Sequence, residues 1–310
     1  MTPPAAAVAD RSPFDRLTEG QPVLAAALAG IARAAASEAP VLLLGAPGTG
    51  RTTVARAVHA ASRRAAAPLV EVDPGAVPTS LFESELFGHK AGAFTGAGAD
   101  QPGRVGRADG GTLLFDHVEE LPAAVQPKLL RLVAERRYAP LGGGEREADL
   151  RFVAVGPDDL SLRVERGAFR EDLFYRFEVF AFRLPSLAER PGEVIEVAQR
   201  LLDDLTERFG RPRAHLSAAA ESWMPSHPWP GNLTQLRNLL ERELILADGT
   251  EVDPEPPGGG SETPRPLTEV EADEIRRALA YTRGHQGEAA ELLGISRKAL
   301  WAKRKRHGIP

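Results

Sequence analysis

Val41-Leu42-Leu43-Leu44-Gly45-Ala46-Pro47-Gly48-Thr49-Gly50-Arg51-Thr52 begins as an apolar run and ends in a glycine-rich turn, after which residues 52–61 read as a helix. A short apolar run closed by glycine and proline is a buried strand feeding a loop. Two glycines five apart, then Arg51 and Thr52, reproduce the spacing of a phosphate-binding loop set between strand and helix. Gly45, Gly48 and Gly50 let backbone N–H groups converge on phosphate oxygens, and the helix N-terminus behind them adds a favourable dipole. Thr49 and Thr53 flank the site, and the Thr52 hydroxyl stands where Mg²⁺ would be ligated. Arg51 occupies the position at which this spacing carries Lys; it keeps the charge, but on a longer, forked group. A strand-to-helix turn without a ligand is the plainer alternative.

Further along, Gly111-Thr112-Leu113-Leu114-Phe115 and Leu150-Arg151-Phe152-Val153-Ala154-Val155 read as buried strands, with a helical pattern over 125–135 between them. This alternation predicts an α/β fold with a parallel sheet. The first of these strands delivers Asp116 to its end, where a carboxylate would hold Mg²⁺ through water. His117 follows it; a neutral imidazole can accept a proton, although a histidine at a strand end is more often a bystander. Over 187–248 strand signals give way to amphipathic helical patterns at 193–209, 217–224 and 233–247, which suggests a helical lid. Residues 249–266 are rich in Pro and Gly and suit a linker, and residues 1–13 read as a disordered tail.

Beyond the linker, 274–282 and 287–293 read as helices, and Gly294-Ile295-Ser296 forms a tight turn in which Ser296 caps a third helix ending near His307. This is a helix-turn-helix. Ala289, Ala290, Leu293, Ile295 and Leu300 supply its small core, leaving Arg297, Lys298, Lys303 and Arg304 on exposed faces towards DNA. Such a basic helix with no DNA partner is the alternative.

The 310 residues carry a net charge of −5, 43% hydrophobic and 26% charged residues, and no Cys, which removes disulfides, zinc–thiolate sites and cysteine nucleophiles from consideration. No apolar run approaches the roughly 18 residues that span a bilayer, and the Ala-rich start lacks a basic n-region. The expected location is cytoplasmic, with no membrane partner.

Glu83-Ser84-Glu85-Leu86-Phe87-Gly88-His89 followed by Gly92-Ala93-Phe94-Thr95-Gly96-Ala97 closely resembles the bacterial enhancer-binding proteins, the AAA+ activators of sigma-54 RNA polymerase. The resemblance continues through Asp109-Gly110-Gly111-Thr112, the stretch Phe169–Arg176 and Trp229-Pro230-Gly231-Asn232, covering about 14–248, while 267–310 resembles the Fis-type DNA reader of these activators. It implies an AAA+ P-loop sheet over 14–186, a helical lid over 187–248 and a small all-α helix-turn-helix. It further implies ATP and Mg²⁺ as cofactors, and a ring of identical subunits, by resemblance a hexamer. Phe94 and Thr95 would contact the sigma-54 RNA polymerase holoenzyme, and Arg170 and Arg176 would reach the γ-phosphate of a neighbouring subunit. Upstream DNA would be bound by Ser296, Arg297, Lys298, Lys303, Arg304 and Trp301, the last standing where the family often has Tyr.

Five positions depart from the family pattern: Arg51 for Lys, His117 for the catalytic Glu, Pro157 for a sensor Asn, Thr234 for a lid Arg (with Arg237 nearby), and Asp73 for an Asn. Transition-state charge stabilisation acts as a unit, so these changes compound. Three readings stay open: an ATP-driven activator, a catalytically silent DNA-binding regulator that uses nucleotide only to set its oligomeric state, and a mixed ring in which Arg170 and Arg176 serve a competent neighbour.

Overall fold

The computed structural model describes residues 12–247, 249–257 and, except for 273, 277, 280, 281, 283, 284 and 308, residues 271–309. Two compact units divide after Pro254. The first begins with three short helices, α1 (Pro13–Thr18), α2 (Pro22–Ala27) and α3 (Ile31–Ala36), then β1 (Val41–Gly45) and α4 (Arg51–Ala60). The chain continues through β2 (Leu69–Val72), α5 (Thr79–Phe87), α6 (Gly103–Arg107), β3 (Thr112–Phe115) and α7 (Gln126–Glu135). A small hairpin, β4 (Arg137–Tyr138) with β5 (Arg146–Glu147), leads to β6 (Arg151–Gly156), α8 (Leu160–Glu165), α9 (Glu171–Phe177) and β7 (Phe180–Leu184).

The five long strands form one parallel sheet in the order β2-β3-β6-β1-β7. Successive side chains of each strand serve opposite faces: Val41, Leu43, Leu114, Val153 and Val155 enter one core, and Leu42, Leu113, Phe115, Phe152 and Ala154 the other. Both faces are covered, so β1, β3 and β6 are apolar almost throughout, which is why they were legible as strands. The edge strands β2 and β7 carry Glu71 and Arg183 and escaped that reading. The registers Leu44↔Gly156 and Phe115↔Ala154 bring the carboxyl ends of β1, β6 and β3 side by side, the place where open parallel sheets bind ligands. Arg151 is fully buried in β6, and its guanidinium donates to the carbonyls of Ala34 (2.8 Å) and Ala35 at the end of α3.

The lid comprises α10 (Val194–Phe209), β8 (His215–Leu216), α11 (Ala218–Trp223), α12 (Asn232–Leu246) and β9 (Glu251–Val252). Leu202, Met224, Trp229, Leu236 and Leu240 form its core, and Val252 is buried with them. Two expectations are corrected here. The lid contains strands, because β8 pairs in parallel with β9, and it therefore extends past 248 into the stretch read as linker. Two-residue strands flanked by glycine and proline give no periodic signal. Likewise Ser12 and Pro13 belong to a helix start rather than a tail. The Ser12 hydroxyl accepts from the Phe14 N–H and the Asp15 carboxylate from the Ser12 N–H, a capping box. Residues 1–11 and 258–266, the rest of the expected tail and linker, lie outside the described residues.

In the second unit, residues 271, 272, 274–276, 278 and 279 are helical, followed by helices Gln286–Leu292 and Arg297–Arg306. Ile275, Ala278, Ala289, Ala290 and Leu300 are its buried core, with Leu293 and Ile295 packed against them.

Candidate functional site

The loop after β1 is held by the lid. Leu233 N–H donates to Gly48 O (2.9 Å) and Asn232 Nδ2 to Pro47 O (3.0 Å), while Leu187 N–H donates to Asn232 Oδ1 (2.8 Å). Gly48 has φ +76°, and a Cβ there would lie 2.5 Å from Gly231 O, so only glycine fits the contact. Thr49 turns inward, its hydroxyl donating to Ala46 O (2.8 Å). Arg51 turns inward as well. At 6% exposure its Nη1 donates to Gly45 O (2.7 Å) and to Gly156 O, strapping the ends of β1 and β6 together. Burial holds its basicity below the ordinary guanidinium range, against the pull of Glu119 and Asp116.

Thr52 Oγ1 donates to Asp116 Oδ2 at 2.8 Å, so the hydroxyl and carboxylate picked from the sequence meet. Among the described residues no cluster of three or more His, Asp or Glu could hold a metal unaided. Two adjacent oxygen donors suit an Mg²⁺ that brings its remaining ligands as phosphate and water. His117 sits at φ 54°, with Nδ1 3.6 Å from Asp73 Oδ1 and 3.9 Å from Asp116 Oδ1, distances longer than hydrogen bonds. Asp73 Oδ1 instead accepts from the Gly75 N–H (3.0 Å). Pro157 follows Gly156, whose carbonyl is the one that Arg51 engages.

A cavity of about 540 Å³ opens beside the loop, lined by Thr49, Gly50, Thr53, Leu184, Leu233 and Arg237 among others. This volume accommodates a nucleotide-sized ligand. Arg170, expected to extend as a free finger, is engaged by Asp172 through Nε (3.0 Å) and Nη2 (2.7 Å). Arg176, on the same helix α9, is exposed and has no hydrogen bond or ion pair among the described residues.

The Gly92–Ala97 loop is closed by Gly92 N–H to Ala97 O (2.8 Å). Phe94 is 39% exposed, and its ring lies edge-on to His89 at 4.9 Å; His89 Nδ1 in turn meets Ser84 Oγ at 2.8 Å. The expected exposed anchor is thus half supported by its own stem, while Thr95 stays exposed.

In the second unit Ser296 Oγ accepts from the Ala299 N–H (3.2 Å), the expected N-cap. Arg297 packs against Gly287, and Lys298 and Trp301 are exposed. Two of the expected DNA-facing cations differ. Lys303 donates to Glu271, which also meets His307 Nε2 (2.8 Å), and Arg304 is half-buried. Lys305 and Arg306 are exposed in their place, with the Lys305 ammonium over the Trp301 ring at 5.4 Å.

Residues 17–183 match the sigma-54 interaction domain, 188–256 the AAA+ ATPase lid domain and 266–307 the Fis family of bacterial regulatory proteins. The chain belongs to the sigma-54 activator family. It is 39% identical to the alginate biosynthesis transcriptional regulatory protein AlgB of Pseudomonas aeruginosa, over 95% of this chain and 68% of that protein. It is also 39% identical to the C4-dicarboxylate transport transcriptional regulatory protein DctD of Rhizobium meliloti, over 88% of this chain and 60% of that protein. Among solved structures, NtrX of Brucella abortus in complex with ATP superposes with a TM-score of 0.71 at 29% identity, over 94% of this chain and 68% of NtrX. The chain thus spans 60–68% of these relatives.

Two features of this sigma-54 activator chain were not singled out as site residues from its sequence. Glu119 is brought back by the turn Val118–Glu120 so that its Oε2 lies 3.8 Å from where a Gly156 Cβ would be. That oxygen is buried without a hydrogen-bond partner among the described residues, and burial pushes the carboxyl above the usual carboxylate range. Arg237 lines the cavity although Thr234 holds the position of the family's lid arginine. Helical spacing was the available signal: Arg237 is four residues after Leu233 and shares its face.

Proposed function

We propose that this chain is a nucleotide-binding transcription regulator that assembles into a ring, docks on upstream DNA through helix Arg297–Arg306 and engages sigma-54 RNA polymerase through Phe94 and Thr95. The meeting of Thr52 with Asp116, on the same loop and helix start whose Thr49, Gly50 and Thr53 line the cavity, carries the nucleotide part of this reading. ATP would lay its phosphates along Gly48–Thr52, with Mg²⁺ held by Thr52 and Asp116 and neutralising phosphate charge. Arg176, exposed on α9 and without a hydrogen bond or ion pair among the described residues, is a side chain available to a neighbouring subunit. Phe94, supported by His89, offers a partly pre-formed apolar contact. Exposed Arg297, Lys298, Lys305 and Arg306 supply the phosphate-contacting charge for DNA.

A second reading, in which nucleotide sets the oligomeric state without being turned over, is favoured by Arg51, whose guanidinium serves two carbonyls rather than the phosphate position. Mg-ATP turnover across a protein concentration series, with fluorescent-nucleotide binding on the same samples, separates the two. Turnover that rises with concentration and is lost in Arg176→Ala supports the motor; binding without turnover supports the silent regulator. Phe94→Ala should abolish capture of sigma-54 while leaving nucleotide binding intact, and retained capture would remove the loop from the reading.

A further inference from the structure

We propose that Trp301 reads DNA sequence, its indole packing on the 5-methyl group of a thymine in the major groove. The inference rests on the DNA-binding reading above and adds to it the group that is recognised. One exposed apolar side chain is ordinary on a protein surface. Trp301, 59% exposed, is instead set in the middle of a cationic face. Residues four apart share a helix face, so Arg297, Trp301 and Lys305 form one row, with Lys298 and Ala302 beside it. All five are exposed. The opposite side is spent on the domain itself: Leu300 enters the core, while Lys303 and His307 meet Glu271.

The Lys305 ammonium stands over the indole at 5.4 Å and steadies it. Lys298 precedes the Trp301–Ala302 pair by about one helical turn and Lys305 follows it by about one, so the apolar centre has a cation on either side. A helix docked in the major groove sets its outer charges on phosphates and its centre on base edges. An indole carries one N–H donor and no acceptor, so it cannot make the paired bonds by which Arg reads guanine or Asn reads adenine. The apolar group that the major groove displays is the thymine 5-methyl, and Ala302 beside the ring widens the surface that would receive it. A protein partner on this face would have to supply carboxylates for the flanking cations, whereas duplex DNA supplies phosphates on both sides of every base pair.

The test uses the full chain and a duplex that it selects from a randomised pool, each thymine being replaced singly by deoxyuridine, which lacks only the methyl. Wild-type affinity should fall about three- to fivefold at one thymine, or at a symmetric pair, the size of one buried methyl. Trp301→Ala should bind the unmodified duplex about tenfold more weakly and be indifferent to deoxyuridine at that position. Trp301→Phe, which keeps an apolar ring, should retain the sensitivity. The log–log salt slope of Trp301→Ala should stay at the wild-type value, since no phosphate contact is lost. The proposal is overturned if no thymine is sensitive to loss of its methyl, a result that needs no variant to fold. It is equally overturned if Trp301→Ala keeps the wild-type sensitivity, or if its slope falls by about 1, which would make the indole only a support for Lys305. A chain that enriches no duplex overturns the DNA-binding reading itself, and this inference with it.

Discussion

Arg51 spends a buried guanidinium on two backbone carbonyls that no other side chain reaches among the described residues. Arg51→Met would remove both of these buried hydrogen bonds, for an expected loss of about 2–5 kcal/mol in thermal or denaturant unfolding. An unchanged midpoint would show that the strap bears no weight. Glu119 gives the opposite expectation. Its folded-state carboxyl is raised by burial, so the folded chain holds that proton more tightly than the unfolded chain, and stability falls as pH rises through the ordinary carboxylate range towards the raised value. Glu119→Gln should flatten that part of the pH profile and be neutral or stabilising at pH 7; a destabilised variant would refute this. Both residues show where sequence reading stops. Thr52 and Asp116 were legible because loop spacing and strand ends are local signals. The partners of Arg51 lie 6 and 105 positions away and are backbone atoms, which carry no residue identity to read.

Element boundaries were legible in proportion to burial on both sides. β1, β3 and β6 announce themselves as unbroken apolar runs, whereas the edge strands and the β8–β9 pair depend on neighbours that sequence does not display. The start of α12 is the joint on which the lid depends. Asn232, 2% exposed at φ 48°, uses its amide to hold Pro47 O and Leu187 N–H at once. Asn232→Ala should cost about 2–4 kcal/mol from two lost hydrogen bonds, one of them buried, and a strained backbone. It should also raise hydrogen exchange in α10 and α12 more than in β1 and β6; uniform exchange would deny the joint. At the other entry to the lid, Glu189 accepts from Ser186 and from Arg183 of β7, and Arg183 first of all holds its carboxyl at about 2. A carboxylate depressed in the folded state contributes above its ordinary range, and that contribution is lost as pH falls through it towards about 2. Melting temperature measured from pH 6 downwards should therefore fall less steeply in Glu189→Gln than in the wild type, and identical slopes would count against the cap.

For the whole molecule, a sigma-54 interaction domain with its AAA+ lid is joined to a small basic domain of the Fis family. DNA affinity measured over a salt series should show Lys298→Ala lowering the log–log slope by about 1, the signature of one phosphate contact. Lys303→Ala should change it less, since its ammonium is already on Glu271; equal changes would mean that this pair opens on DNA. The first unit ends immediately beyond β9. His215 N–H bonds to Thr250 O and Ser217 N–H to Val252 O, Ser217 Oγ to Asp253, and Trp223 Nε1 to Pro254 O. In mechanical terms, the strand is a mooring line made fast to α11. A pull applied at Pro254 would load the Trp223 indole and the Ser217 cap of that helix before it reached the lid's core.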